Sequence, residues 1–235
     1  MGKPSLLLPL LPLVLLSLVL QHGEPRALSV EEFGACSSSS SVACAQQNSR
    51  AFFAAGLASR PGDSIVWPSG STWYYMPFAP HSPGPLQRYT AEPILDGLNS
   101  VTISIEGELR LHDNFSAWPT YIHGTSNKTA YYNAIHLRSP HNVTLKGGGS
   151  IDGQGEAWWR AFFFGKVVRE RPTTLYFEDS VDTVVEDIRI SNAPRFNVYG
   201  SNVDGFVVRH CTIWVDTALQ KAIYEELTGQ DLSHL

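Results

Sequence analysis

The chain has 235 residues, a formal net charge of −5, 43% hydrophobic residues and 17% charged residues. That balance excludes a disordered chain, and the acidic excess excludes the basic footprint of a general nucleic-acid binder. The length allows one domain with a sizeable core rather than a large multidomain enzyme.

Lys3 precedes an apolar run over residues 6–20, and a polar stretch follows at 21–24. A positive start, an apolar stretch and a polar break predict a secretory leader over 1–27. The run is short for a bilayer span and Pro9 and Pro12 interrupt it. No stable membrane insertion is expected. Secretion implies an oxidising compartment, where Cys36 and Cys44, which bracket a serine-rich loop, are expected to pair. Cys211 has two readings: a small buried hydrophobe in a strand, or a thiol whose partner lies outside these residues. No clustered His/Cys set points to a metal site, and no cofactor is expected. The sequons beginning at Asn114, Asn127 and Asn142 make these three the expected N-glycan acceptors.

Helical spacing of Ala51, Phe52, Ala54, Ala55 and Leu57 predicts a short helix over 49–57. From Ile94 onward, short β-rich runs alternate with Gly, Asn, Asp and Pro. They lie at 101–105, 135–137, 143–145, 175–177, 184–190, 196–199 and 206–215. These runs repeat. Ser100-Val101-Thr102-Ile103 returns 42 residues later as Asn142-Val143-Thr144-Leu145. Val181-Asp182-Thr183 returns after 22 as Val203-Asp204-Gly205, and Val184-Val185 after 23 as Val207-Val208. The runs 175–177 and 196–198 are 21 apart. A unit of 21–23 residues, with 42 as its double, predicts the coils of an all-β, right-handed parallel β-helix over 28–215. A β-sandwich needs no such period. In this register Ile188 stacks near Cys211 and Ile190 near Ile213, which favours the buried reading of Cys211. The tail, 216–235, switches to helical spacing at Ala218, Leu219, Ala222, Ile223 and Leu227. It reads either as an amphipathic cap on the open last coil or as a divergent end of a truncated reading frame.

Several segments resemble glycoside hydrolase family 28, the polygalacturonases and their relatives. Gly149-Ser150-Ile151-Asp152-Gly153-Gln154-Gly155, followed by Trp158-Trp159, resembles that family's G-x-I-D-G-x-G-x-x-W-W. Arg171-Pro172 matches its R-P, and Ile190-Ser191-Asn192-Ala193-Pro194-Arg195-Phe196 resembles L-x-N-S-P-x-F. Upstream, Val30-Glu31-Glu32-Phe33-Gly34-Ala35 resembles V-x-x-F-G-A, and Trp118-Pro119 matches W-P. The order agrees across 28–215, as the N-terminal part of such a protein. The resemblance implies a secreted, extracellular or cell-wall hydrolase, a monomer, with a pectic polysaccharide as its partner.

The chemistry implied by the resemblance needs a general acid on one side of the bond and a water-activating base on the other. Family members supply these from N-T-D and D-D motifs, with G-H-G and R-I-K beyond. The chain has no Asp-Asp, Gly-His-Gly or Arg-Ile-Lys. Asn202-Val203-Asp204-Gly205 resembles N-T-D-G, but it comes too early in the order. Asp204 also aligns with Asp182, and so reads as a repeated turn residue. No catalytic residue is assigned. The expected function is therefore a polygalacturonase-type glycosidase whose present residues lack the catalytic carboxylates. The alternative is a non-catalytic secreted β-helix that binds carbohydrate. A calcium-dependent lyase would need clustered carboxylates and a basic Arg. Trp158 and Trp159 read as packing residues before sugar-stacking ones. His81, His112, His123, His136, His141 and His210 read as surface or turn residues. Glu106 and Glu108 share a face if they share a strand.

Overall fold

A computed structural model describes residues 24–78, 94–123, 128–167 and 170–231. Asn127 and His81 lie outside the described residues, as do residues 1–23 of the expected leader. In chain order the elements are β1 (Ala27–Ser29), a 3-10 turn (Val30–Phe33), α1 (Val42–Ala58), β2 (Ser64–Trp67), β3 (Thr72–Tyr75), β4 (Ile94–Asp96), β5 (Thr102–Ile105) and β6 (Glu108–Leu111). They continue with β7 (Thr120–His123), β8 (Lys128–Tyr131), β9 (Ile135–Arg138), β10 (Thr144–Lys146), β11 (Ser150–Asp152), α2 (Gly155–Phe163) and β12 (Leu175–Glu178). The last are β13 (Val184–Glu186), β14 (Arg189–Ser191), β15 (Val198–Ser201), β16 (Val207–Arg209), β17 (Thr212–Trp214) and α3 (Thr217–Thr228).

The strands form three parallel sheets of a right-handed β-helix. Sheet A is ordered β1-β2-β5-β10-β13-β16, sheet B β3-β6-β11-β14-β17, and sheet C β4-β9-β12-β15. Side chains alternate across each strand, so one face of every sheet points into the helix. The inward positions stack like on like. Ile65, Ile103, Leu145 and Val185 form one fully buried ladder, and Trp73, Leu109, Ile151 and Ile190 another. Leu95, Leu137 and Phe177 form the third.

The pairing corrects the repeat length. Thr102 pairs directly with Thr144, so 42 residues make one enlarged coil, not two. The extra length is the antiparallel hairpin β7–β8, inserted between sheet B and sheet C. The next coil carries α2 at the same corner. The coil from Val184 to Val207 carries no such insertion and spans 23 residues. Leu175 pairs with Val198 and Val181 with Asp204, so these repeats also run at 23 rather than 21 or 22. Asp204 thus sits over Val181, and Gly205 over Asp182. The turn position Ser100, Asn142, Asp182, Gly205 has φ of 53°, 52°, 50° and 63° at successive coils. Short polar side chains or glycine accept this left-handed conformation. The same chemistry splits two expected strands: Asp187 (φ 51°) divides β13 from β14, and His210 (φ 53°) divides β16 from β17.

At the start of the stack, α1 covers the first coil. It begins at Val42 rather than 49, because the Ser41 side chain caps it by accepting from Cys44 N at 3.2 Å. Cys36 and Cys44 are joined by a disulfide, and Asn48 Nδ2 donates to Cys36 O and Tyr74 O. Phe52 lies 5.8 Å from Trp67, ring to ring. Gly56 allows close approach to sheet C, since a Cβ there would lie 2.4 Å from Leu95 Cδ2. At the other end, α3 does not serve as a cap on the last coil. It is capped by Asp216 and packs beside α2, through Phe163 on Tyr224 at 5.8 Å and Arg160 on Glu226 at 2.7 Å. Val208 and Ile213, which continue the buried ladders, stay 41% and 48% exposed.

The Leu145→Ala variant removes the centre of the sheet A ladder. We expect a loss of about 2–5 kcal/mol, measured by urea unfolding. Asp63 gives a pH signature. This buried carboxylate accepts from Arg26 N at 2.9 Å, Arg26 Nε at 3.1 Å and Arg60 N at 2.9 Å. The Arg26 side-chain hydrogen bonds hold it down to about 2, against an ordinary 3.8. A depressed acid stabilises the fold fully above its unfolded value and loses that contribution as pH falls through the folded one. The stability gap between the parent and Asp63→Asn is therefore expected to shrink from pH 4 toward pH 2 in urea midpoints.

Candidate functional site

The outward face of sheet C carries two rows of side chains set by strand register. Ile94, His136, Tyr176 and Tyr199 form one row. Asp96, Arg138, Glu178 and Ser201 form the other. In the first row, the Tyr176 and Tyr199 rings are stacked 5.5 Å apart with planes within 7°. Tyr199 also stacks on Phe196 at 5.4 Å and 20°. The His136 ring meets the Tyr176 ring edge-on at 4.5 Å, and its Nε2 lies 3.1 Å from Glu178 Oε2. In the second row, Arg138 Nη2 donates to Asp96 Oδ2 at 2.6 Å. At the end nearest the sheet B corner, Arg195 lies 4.9 Å over the Phe196 ring and pairs with Glu170. Tyr199 and Phe196 are 43% and 42% exposed, so this is an aromatic platform in contact with solvent. Flat rings beside charged groups give apolar contact and hydrogen bonding on one surface.

A concavity of about 320 Å³ lies among α2, α3 and the sheet B face. Asp113, Asp152, Glu156, Arg160 and Asn192 line it. Three of its polar groups, Asp152, Glu156 and Asn192, are engaged within the fold. Asp152 accepts from Gln154 N at 3.1 Å, Glu156 accepts from Arg160, and Asn192 accepts from Asp216 N at 2.9 Å.

The residues singled out by sequence do not converge. Asp204 lies on an exposed turn between β15 and β16. Glu106 and Glu108 are not on one strand: Glu106 accepts from Ser104 Oγ, while Glu108 accepts from Thr72 Oγ1 and Arg110. Trp158 and Trp159 are buried, and Trp159 Nε1 donates to Ala193 O at 3.1 Å. Cys211 is a half-buried free thiol over the last ladder, with Sγ 3.2 Å from Arg209 O. Asn114 and Asn142 are exposed, and Asn142 precedes β10 rather than entering it. His136 departs from the surface-or-turn reading, being 8% exposed within β9. Among the described residues, no group of three or more His, Cys, Asp or Glu is arranged to hold a metal ion. Sequence reasoning missed the platform because Tyr176 and Tyr199 are separated by a full coil.

A model of the glycosyl hydrolases family 28 matches residues 90–219, more than half of the chain. The chain belongs to this family. Its family 28 relatives include a polygalacturonase of Cryptomeria japonica, 26% identical over 110 residues, which is 44% of this chain and 20% of that protein. A probable endo-xylogalacturonan hydrolase A of Aspergillus fumigatus is 29% identical over 142 residues, 60% of this chain and 29% of that protein. Among solved structures, the polygalacturonase from Erwinia carotovora ssp. carotovora superposes with a TM-score of 0.58 at 20% identity. That match covers 83% of this chain and 49% of the Erwinia chain, and shows the shared β-helix. The chain thus spans less than half the length of these relatives.

Because Trp159 packs and hydrogen-bonds inside the fold, Trp159→Phe is expected to lower stability by about 1 kcal/mol and to leave any polysaccharide binding unchanged. Urea unfolding and a gel-retardation assay on immobilised polymer read the two effects separately.

Proposed function

We propose that this family 28 chain is secreted and binds a pectic polysaccharide along the outward face of sheet C. The observation that carries the reading is the stacked Phe196–Tyr199–Tyr176 platform, flanked by the charged row Asp96, Arg138 and Glu178. Sugar rings present apolar C–H faces and hydroxyl edges, and the two rows offer partners for both. The relatives named polygalacturonase and xylogalacturonan hydrolase support a galacturonan-type polymer. The leader pattern supports export to the extracellular space or cell wall, with Asn114 and Asn142 as exposed glycan acceptors.

Hydrolysis by inversion requires two carboxyl groups about 6.5–9.5 Å apart across the scissile bond. The chain has no Asp-Asp, Gly-His-Gly or Arg-Ile-Lys segment to supply and orient them. These 235 residues are therefore read as binding the polymer without cleaving it.

Purified chain, incubated with polygalacturonate, is expected to release no reducing ends yet to be retarded in gels containing the polymer. The double variant Tyr176→Ala/Tyr199→Ala should weaken retardation about tenfold or more. Cleavage that disappears in Asp204→Asn would overturn the non-catalytic reading. Retardation unchanged in the double variant would overturn the placement of the polymer on sheet C.

A further inference from the structure

Two arginines meet at the corner where sheet B passes the chain to sheet C. Arg171 follows α2, and Arg195 follows β14 on the next coil. Thr174 N donates to Phe196 O at 2.9 Å, which sets the two segments side by side. The Arg171 guanidinium carbon lies over the Phe162 ring, 4.0 Å from its centre. Its Nε is buried without a hydrogen-bond partner. Among the described residues, no carboxylate faces it. Burial, then the like charge of Arg195, push Arg171 down to about 10, so it remains a cation at neutral pH. Arg195 is stacked over Phe196 and paired with the exposed Glu170. The trio Glu170, Arg171 and Arg195 thus holds one positive charge in excess.

An unmatched, half-buried cation beside a like charge is unfavourable, and an anion bound between the two removes both penalties. The planar fork of Arg matches a carboxylate with two parallel hydrogen bonds. The corner is also continuous with the platform, since Arg195 stacks on Phe196 and Phe196 on Tyr199.

We propose that Arg171 and Arg195 form a carboxylate-binding site for an acidic sugar unit of the polymer on sheet C, with Glu170 as a built-in competitor for Arg195. This inference rests on the polysaccharide reading above. It adds a specificity: free uronate units engage the corner, whereas methyl-esterified units lack the charge and do not. Glu170 weakens binding by occupying part of the Arg195 fork, so the site selects polymers whose carboxylate density outcompetes it.

The test is calorimetric titration of the full chain with oligogalacturonate and with its methyl ester. The acid is expected to bind about tenfold more tightly than the ester, the scale of one charge-assisted hydrogen-bonded contact. Arg171→Gln and Arg195→Gln should abolish that difference, and Glu170→Gln should tighten binding of the acid alone. Equal affinity for acid and ester would overturn this inference while leaving the polysaccharide reading intact. So would an acid preference that survives in Arg171→Gln. Binding of neither form would overturn the polysaccharide reading, and this inference with it. Arg171 packs on Phe162, so near-ultraviolet circular dichroism checks the fold of its variant. Should that variant misfold, Glu170→Gln decides: tighter acid binding supports the site, and unchanged or weaker binding overturns it.

Discussion

Coil-on-coil pairing of parallel strands is the constraint on which the molecule depends. Each strand is only three or four residues long and cannot bury its inward side chain alone. Stacked at a fixed register, the strands satisfy one another's backbone groups and bring like apolar residues into contact. The ladder Ile65, Ile103, Leu145, Val185 is fully buried for that reason. Its next member, Val208, belongs to the last coil and is 41% exposed. The same residue type in the same strand position changes environment simply because no described coil lies above it.

Register also decides where irregular structure is admitted. The hairpin β7–β8 and the helix α2 both leave the stack between sheet B and sheet C. Insertions there do not disturb the ladders, because pairing resumes at Ile135 and at Leu175 in the same sheet C register. α2 then provides Trp158 and Trp159 for packing, a surface for α3, and the Phe162 ring beneath Arg171. One tolerant corner thus gathers the helices and the two arginines at the edge of the aromatic platform. The tight pairs elsewhere, such as Arg26 with Asp63, hold the first coil and lie apart from that platform.

Much of the fold was legible in residue patterns. The strands, the turn residues and the helical tail all leave local signals: alternation, a short polar residue at a left-handed φ, a 3.6-residue period. The relation between coils was harder to read. The 42-residue shift looked like two units of 21, yet it is one coil lengthened by a hairpin. A one-residue error, 22 for 23, placed Asp204 over Asp182, whereas the backbone places it over Val181. Similarity of side chains finds the neighbourhood of a repeat, but hydrogen-bond register fixes the residue. The start of α1 was missed because its signal is a single capping hydroxyl, Ser41, within a run of serines.

The sequence by itself determined the architecture and the family, because these rest on local composition and ordered motifs. Tertiary structure places Arg26 on Asp63 and Ala27 opposite Ser64 in sheet A, two contacts that no local pattern announces. It alone assembled the sheet C platform and the Arg171–Arg195 corner. Tyr176 and Tyr199 stack only when two coils come into register, and a helix packed across the corner is what leaves Arg171 buried over Phe162. Those contacts join residues a coil or an insertion apart, and no local pattern in a chain specifies such distances until the strands between them have paired.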